Sequence, residues 1–117
     1  MADELSREER LASMARRFVD RARDQAVRIA ELRPQVNHEH GKGEALLELR
    51  QLVHSLHGSA GTFGYGEVSI GAGEAEDLCD GLMAGGDSSV PSLFGDLDHA
   101  IEKLLALIKQ LDAPPTK

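Results

Sequence analysis

The sequence predicts an all-α protein, an antiparallel four-helix bundle. Three observations carry this reading. Apolar residues recur at three- and four-residue steps in four separate segments. No segment alternates apolar and polar residues as a half-buried strand would. The breaks between segments are short and hold Gly, Pro, Asn or Ser. At 117 residues the chain suits one domain around one core, with residues 1–5 and 112–117 frayed.

The first helix is expected over residues 1–33. Ser6 and Glu9 have capping-box spacing. Leu11, Met14, Ala15, Phe18, Ala22, Ala26, Ile29 and Leu32 then share one face, with Arg and Asp on the other. Leu5 is assigned to a short leading turn or extra N-terminal helix that packs separately. Pro34 is expected to end the helix, and residues 34–44, "PQVNHEHGKGE", to form a loop. The second helix runs from 44 to about 64, where Leu46, Leu49, Val53, Leu56, Ala60 and Phe63 step by alternating threes and fours, a bundle seam. A third, weaker helix spans 67 to about 84, with Val68, Ala72, Ala75, Leu78, Cys79 and Leu82 on its apolar face and Gly71 and Gly73 near its start. Residues 84–89 form a turn. The last helix covers 90–111, with Ser89 as candidate cap and Pro91 in the first turn. Its stripe is Val90, Leu93, Phe94, Leu97, Ile101, Leu104, Ile108 and Leu111.

Composition narrows the function. A net charge of −7 argues against a nucleic-acid partner and against an anionic membrane surface. No apolar run approaches a membrane span, and "MADELSREER" is too charged for a secretion signal. The single cysteine, Cys79, has no internal partner, which fits a reducing cytoplasm. Aromatic residues make up only 3% of the chain, so the core is aliphatic.

The stretch "HSLHGSAGTFGYG", residues 54–66, is the unusual one. It carries two histidines, then glycines at 58, 61, 64 and 66. Each glycine inside a helix costs about 1 kcal/mol against alanine, so bare backbone here calls for a reason. On a helical wheel at about 100° per residue, His54 points away from the apolar stripe, to solvent. Gly58 and Gly61 fall near the same face, one and two turns on, with Arg50 one turn and Leu47 two turns before. A neutral imidazole keeps one ring nitrogen free to attack. An electrophile held in another protein's cleft reaches it only if neighbouring side chains stay clear. Gly58 clears that space, and Leu47 offers an apolar contact to a docking partner. His57 sits at the edge of the buried stripe.

This string resembles the signature of the histidine-containing phosphotransfer (HPt) domains of bacterial multistep phosphorelays, His-x-Leu-Lys-Gly-Ser followed by Ala or Ser, with a Gly some five residues on. The resemblance implies that His54 is the phosphorylated histidine, Leu56 the core leucine, Gly58 the clearing glycine and Ser59-Ala60 the small pair. Phe63 then packs, and Gly64 marks where the helix meets its neighbour. A weaker likeness covers most of the chain, with Phe18 on an apolar position and Glu76 on an acidic one. The implied fold is again a four-helix bundle. The implied reaction is reversible phosphoryl transfer: His54 takes the group from an aspartate of a receiver domain and returns it to a second receiver. Partners would be response-regulator receiver domains or a hybrid histidine kinase. The chain itself would need no cofactor, because the Mg²⁺ belongs to the receiver. A phosphocarrier needs no second copy, so a monomer is expected. One departure stands out. The family usually has Lys three residues after the active histidine, and here that position is His57, which would stabilise the phosphoryl charge when protonated or as a hydrogen-bond donor and is also a rival phosphosite.

Other chemistries are weaker. "GKGE" at 41–44 lacks P-loop spacing, and the glycines of 58–73 follow no strand, so the chain is no self-sufficient kinase. His54 with His57, or His38 with His40, has metal-ligand character only as isolated pairs. Ser59 and Thr62 are candidate phosphosites, and Thr62 equally suits back-bonding within its helix. Glu74, Glu76, Asp77 and Asp80 read as a solvated acidic face. The competing reading of the whole is a helical interaction module that carries no phosphate, and His57 is the residue that favours it.

Overall fold

The computed structural model describes residues 6–39, 43–85 and 90–111. They form four helices: α1 Arg7–His38, α2 Glu44–Thr62, α3 Gly66–Met83 and α4 Val90–Lys109. Neighbours follow the chain around a ring, and α4 closes back on α1. Every neighbouring pair is antiparallel. Phe18 meets Phe63 while Arg28 meets Glu48. Arg50 meets Asp80 while His57 meets Ser69. The backbone of Gly81 faces Leu93 while that of Gly71 faces Leu104 and Leu107. Arg33 meets Asp98 while Arg23 meets Leu111. This is the four-helix bundle that the periodicity predicts.

The core is the sum of the four stripes. Ile29, Leu49, Val53, Leu56, Ala72, Cys79 and Leu104 lie fully inside, and no polar or charged residue is buried with them among the described residues. The capping box of α1 forms as spaced: Glu9 N donates to Ser6 Oγ at 3.0 Å, and Ser6 N to Glu9 Oε1 at 3.1 Å. Among the described residues no helix is long and apolar enough to cross a membrane. The expected leading helix at Leu5, the frayed ends and the cap at Ser89 lie outside the described residues.

Two expectations are corrected. Pro34 does not end α1, which runs on to His38. A proline removes one backbone donor and crowds the carbonyl four residues back. Here that cost falls close to the C-terminus, on an exposed residue, and the extra turn buries Val36, only 2% exposed. The connection therefore starts at Glu39 rather than 34. Leu11 and Met14 are not core: they are 52% and 46% exposed. At about 1.5 Å per residue, the 32 residues of α1 outreach helices of 18–20. Because Phe18 already packs at the α2–α3 turn, the first turns of α1 project beyond the bundle end, in a molecule 62 Å long and 20 Å wide. Gly71 and Gly73 lie inside α3, close to their neighbours. A Cβ at Gly71 would stand 3.5 Å from Leu107, and one at Gly73 2.9 Å from the His57 ring. The first is contact distance and the second an overlap, so a side chain at 73 would force the His57 ring to shift.

Ion pairs tie the outer faces. Arg33 grips Asp98 through two hydrogen bonds, at 2.6 and 2.9 Å, and holds its carboxyl below the usual carboxylate range. A depressed folded value means the stabilisation is full above about pH 4, where the unfolded carboxyl titrates, and is lost as pH falls through the folded value. The Asp98 side chain is 42% exposed, so solvent screens the pair. Asp98→Asn is expected to cost only about 0.5 kcal/mol at pH 7. Thermal melts of the variant and the wild type should converge as pH is lowered from 5 toward 2. A constant gap across that range would show that the pair contributes nothing.

Candidate functional site

The site is built on α2 and α3, and the turn between them sets its register. Thr62 is the last residue of α2, Phe63 is its C-cap, and Gly64 follows at φ +83°. Gly64 N donates to Gly61 O at 3.3 Å and Tyr65 N to Ala60 O at 2.8 Å. That pair of bonds is a Schellman motif, and its left-handed residue favours glycine. Tyr65 then stacks on Phe18, ring centroids 5.1 Å apart, and pins the turn to α1. The chain returns along α2 with three of its residues, Asp80, Glu76 and Ser69, set against Arg50, His54 and His57.

His54 is exposed, at 65% of its side chain, as its place on the wheel predicts. Its ring is nonetheless held. Nδ1 lies 2.7 Å from Glu76 Oε2, and Glu76 is only 14% exposed. A carboxylate accepts and does not donate, so the contact calls for a proton on Nδ1, and in the neutral ring that leaves the lone pair on Nε2. Arg50 Nη2 reaches the same Glu76 oxygen at 3.4 Å, and Arg50 Nε donates to Asp80 Oδ1 at 2.8 Å. The Asp80 hydrogen bond, reinforced by Glu76, raises the guanidinium further above its already high value, so Arg50 stays charged.

The two glycines differ in what they leave open. A Cβ at Gly58 would meet nothing within 4 Å, so the surface one turn after His54 is bare. A Cβ at Gly61 would stand 3.3 Å from Ser69 Oγ, so Gly61 lets α3 come close. Leu47 is exposed at 55%, two turns before His54. His57 is exposed but engaged. Its Nδ1 donates to the Ser69 carbonyl at 2.8 Å, and Ser69 Oγ donates back to the His57 carbonyl at 2.9 Å. The imidazole rests where a side chain on residue 73 would be. Thr62 back-bonds to Gly58 O at 3.0 Å.

The structure thus brings His54 and Arg50 together and seats His57 against α3. Sequence reasoning missed the part played by Glu76 and Asp80, read there as a solvated acidic face. A signal was present. Glu76 adjoins the stripe Ala72, Ala75, Cys79 at its edge, whereas Glu74 and Asp77 point outward and are exposed. No group of three His, Cys, Asp or Glu side chains fit to hold a metal occurs among the described residues; His40 lies outside them. Cys79 is core, as expected, and burial pushes its thiol up to about 12. Since the thiolate is the reactive form, iodoacetamide at pH 8 should leave the native protein unmodified and alkylate it fully in denaturant. Rapid labelling of the native protein, read by intact mass, would contradict this packing.

A model of the Hpt domain family matches residues 13–113 of the chain. No curated protein and no solved structure matches it.

Proposed function

The chain belongs to the Hpt domain family, a family of histidine phosphotransfer in phosphorelays, and from that premise we propose that it is a phosphoryl carrier with His54 as the acceptor. The observation that carries the reading is an exposed imidazole whose Nδ1 is fixed by Glu76 at 2.7 Å, beside the bare backbone of Gly58. The Nε2 lone pair attacks the phosphorus of an aspartyl phosphate on a receiver domain. The bond from phosphorus to the acyl oxygen breaks, and the aspartate leaves as carboxylate. The Nδ1 proton stays in place, and the positive charge that develops on the ring faces the Glu76 carboxylate. Return of the group to a second receiver is the same step reversed. A metal on the receiver would balance the charge of the group in transit, so the carrier needs none of its own. Leu47 is an apolar contact for the incoming receiver, and Gly58 keeps its approach clear. A cytoplasmic monomer would suffice for this role.

The test is transfer from a phosphorylated receiver domain, followed by intact mass, for wild type, His54→Gln and His57→Gln. Acid-labile, base-stable phosphate that disappears only with His54→Gln supports the reading. Loss only with His57→Gln would keep the function and move the acceptor. Absence of label from several receivers and from a small-molecule donor would leave a helical interaction module.

A further inference from the structure

A transferring phosphoryl group brings two negative charges to a site that already holds Glu76 and Asp80. Once the receiver and its metal have left, a cation of the carrier's own has to meet it. Helix α2 contains one Lys or Arg, Arg50, and helix α3 contains none. His57 is poorly placed for the task. Its Nδ1 is committed to the Ser69 carbonyl, and its ring is wedged over Gly73. Arg50 is one turn before His54 on the same face, and helical side chains lean toward the N-terminus, so the His54 ring lies over the turn that carries Arg50. The structure records the result: Arg50 Nη2 and His54 Nδ1 share a single oxygen, Glu76 Oε2.

The geometry points to Arg50 as the residue that neutralises the phosphoryl group on His54. This rests on His54 being the acceptor. In the free protein Arg50 is parked on Asp80, whose side chain is 48% exposed. Exposed pairs of this kind are weak, whereas a guanidinium binds a phosphoryl group through paired, charge-assisted hydrogen bonds. On transfer, Arg50 leaves Asp80 and takes the phosphoryl oxygens, while Glu76 keeps its hold on Nδ1–H. No proton moves in this exchange.

The test uses potassium phosphoramidate, a small phosphoryl donor that needs no docking surface. The labelling rate of His54 is followed by intact mass in wild type, Arg50→Gln, Arg50→Lys and the double variant Arg50→Gln/His57→Lys. Residue 57 is one turn after His54, and a lysine there leans back toward the ring. Arg50→Gln should label about tenfold more slowly, the scale of one charge-assisted hydrogen bond. Arg50→Lys should lose less, and the double variant should recover most of the rate. Rescue from the opposite side of His54 is not expected of a residue that merely braces α3. Wild-type labelling of Arg50→Gln by phosphoramidate, with slow transfer only from receivers, would overturn the inference and make Arg50 a docking residue. A slow single variant that lysine at 57 fails to rescue would also overturn it. Labelling of wild type that survives His54→Gln would instead refute the acceptor assignment, and far-ultraviolet circular dichroism of each variant separates these outcomes from misfolding.

Discussion

Glu76→Ala should accept phosphate about a hundredfold more slowly than the wild type while remaining folded. The reason lies in the proton, not in lost contact with a partner. In the native site the carboxylate at 2.7 Å keeps the proton on Nδ1, so that Nε2 presents its lone pair. Without that acceptor the proton is free to occupy Nε2, and the nucleophile is then blocked for part of the time. The positive charge formed during attack also loses its counterion. A wrong tautomer at the catalytic histidine of an enzyme is costly for the same reason, by up to about 10⁴-fold; the exposure of His54 argues for a smaller loss. Glu76→Gln separates the two effects, because an amide oxygen still accepts from Nδ1–H and only the charge disappears. Its loss should be about tenfold. Nitrogen-15 shifts of the His54 ring read the tautomer directly. If Glu76→Ala leaves both the ring shifts and the rate unchanged, the hydrogen bond has no functional role.

Gly58 offers a prediction in which stability and function move in opposite directions. Its position meets nothing within 4 Å, so Gly58→Ala should stabilise the fold by about 1 kcal/mol, the helix-propensity difference. For a chain of this size that is a rise of about 4 °C in Tm. Gly58→Leu should fold equally well but place a branched side chain beside His54. Transfer from a receiver should then fall by about 10²-fold, as when reacting atoms are held an ångström too far apart. Labelling by phosphoramidate should barely change, since a small donor passes the obstruction. A receiver that transfers to Gly58→Leu at the native rate would mean that docking does not cover this turn.

Much of this site is written in the residues of α2 alone. The stripe Leu46 to Phe63 fixes which way His54 faces, so exposure and the neighbourhood of Gly58 follow from spacing. The partners across the helix pair do not. That Glu76 rather than Glu74 or Asp77 meets His54 depends on how far α3 is rotated and slid along α2, which is set by the turn at Gly64 and by close approach at Gly61 and Gly73. His57 is the clearest case: periodicity places it at the stripe edge, yet its seat exists only because residue 73, sixteen positions on, lacks a side chain. Leu11 and Met14 fail for a different reason. Their spacing is correct, but a stripe does not say how long the neighbouring helices are, and here they stop short. Pro34 leaves no stop signal in α1 because its local penalty is outweighed by the burial of Val36 beyond it.

The side-chain contacts of Arg50, His54 and His57 all join α2 to α3. On the proposed reading the chemistry resides in one helical hairpin, which α1 and α4 serve by keeping it folded. A saturation mutagenesis survey should separate into two populations. Substitutions in the buried positions of α1 and α4 should give temperature-sensitive alleles, silent in the cold and rescued by a stabilising second change away from the His54 face. Substitutions at His54, Glu76 and Arg50 should be equally defective at every temperature. Over long divergence, α1 and α4 are then free to drift as far as their packing allows, while the hairpin keeps its register.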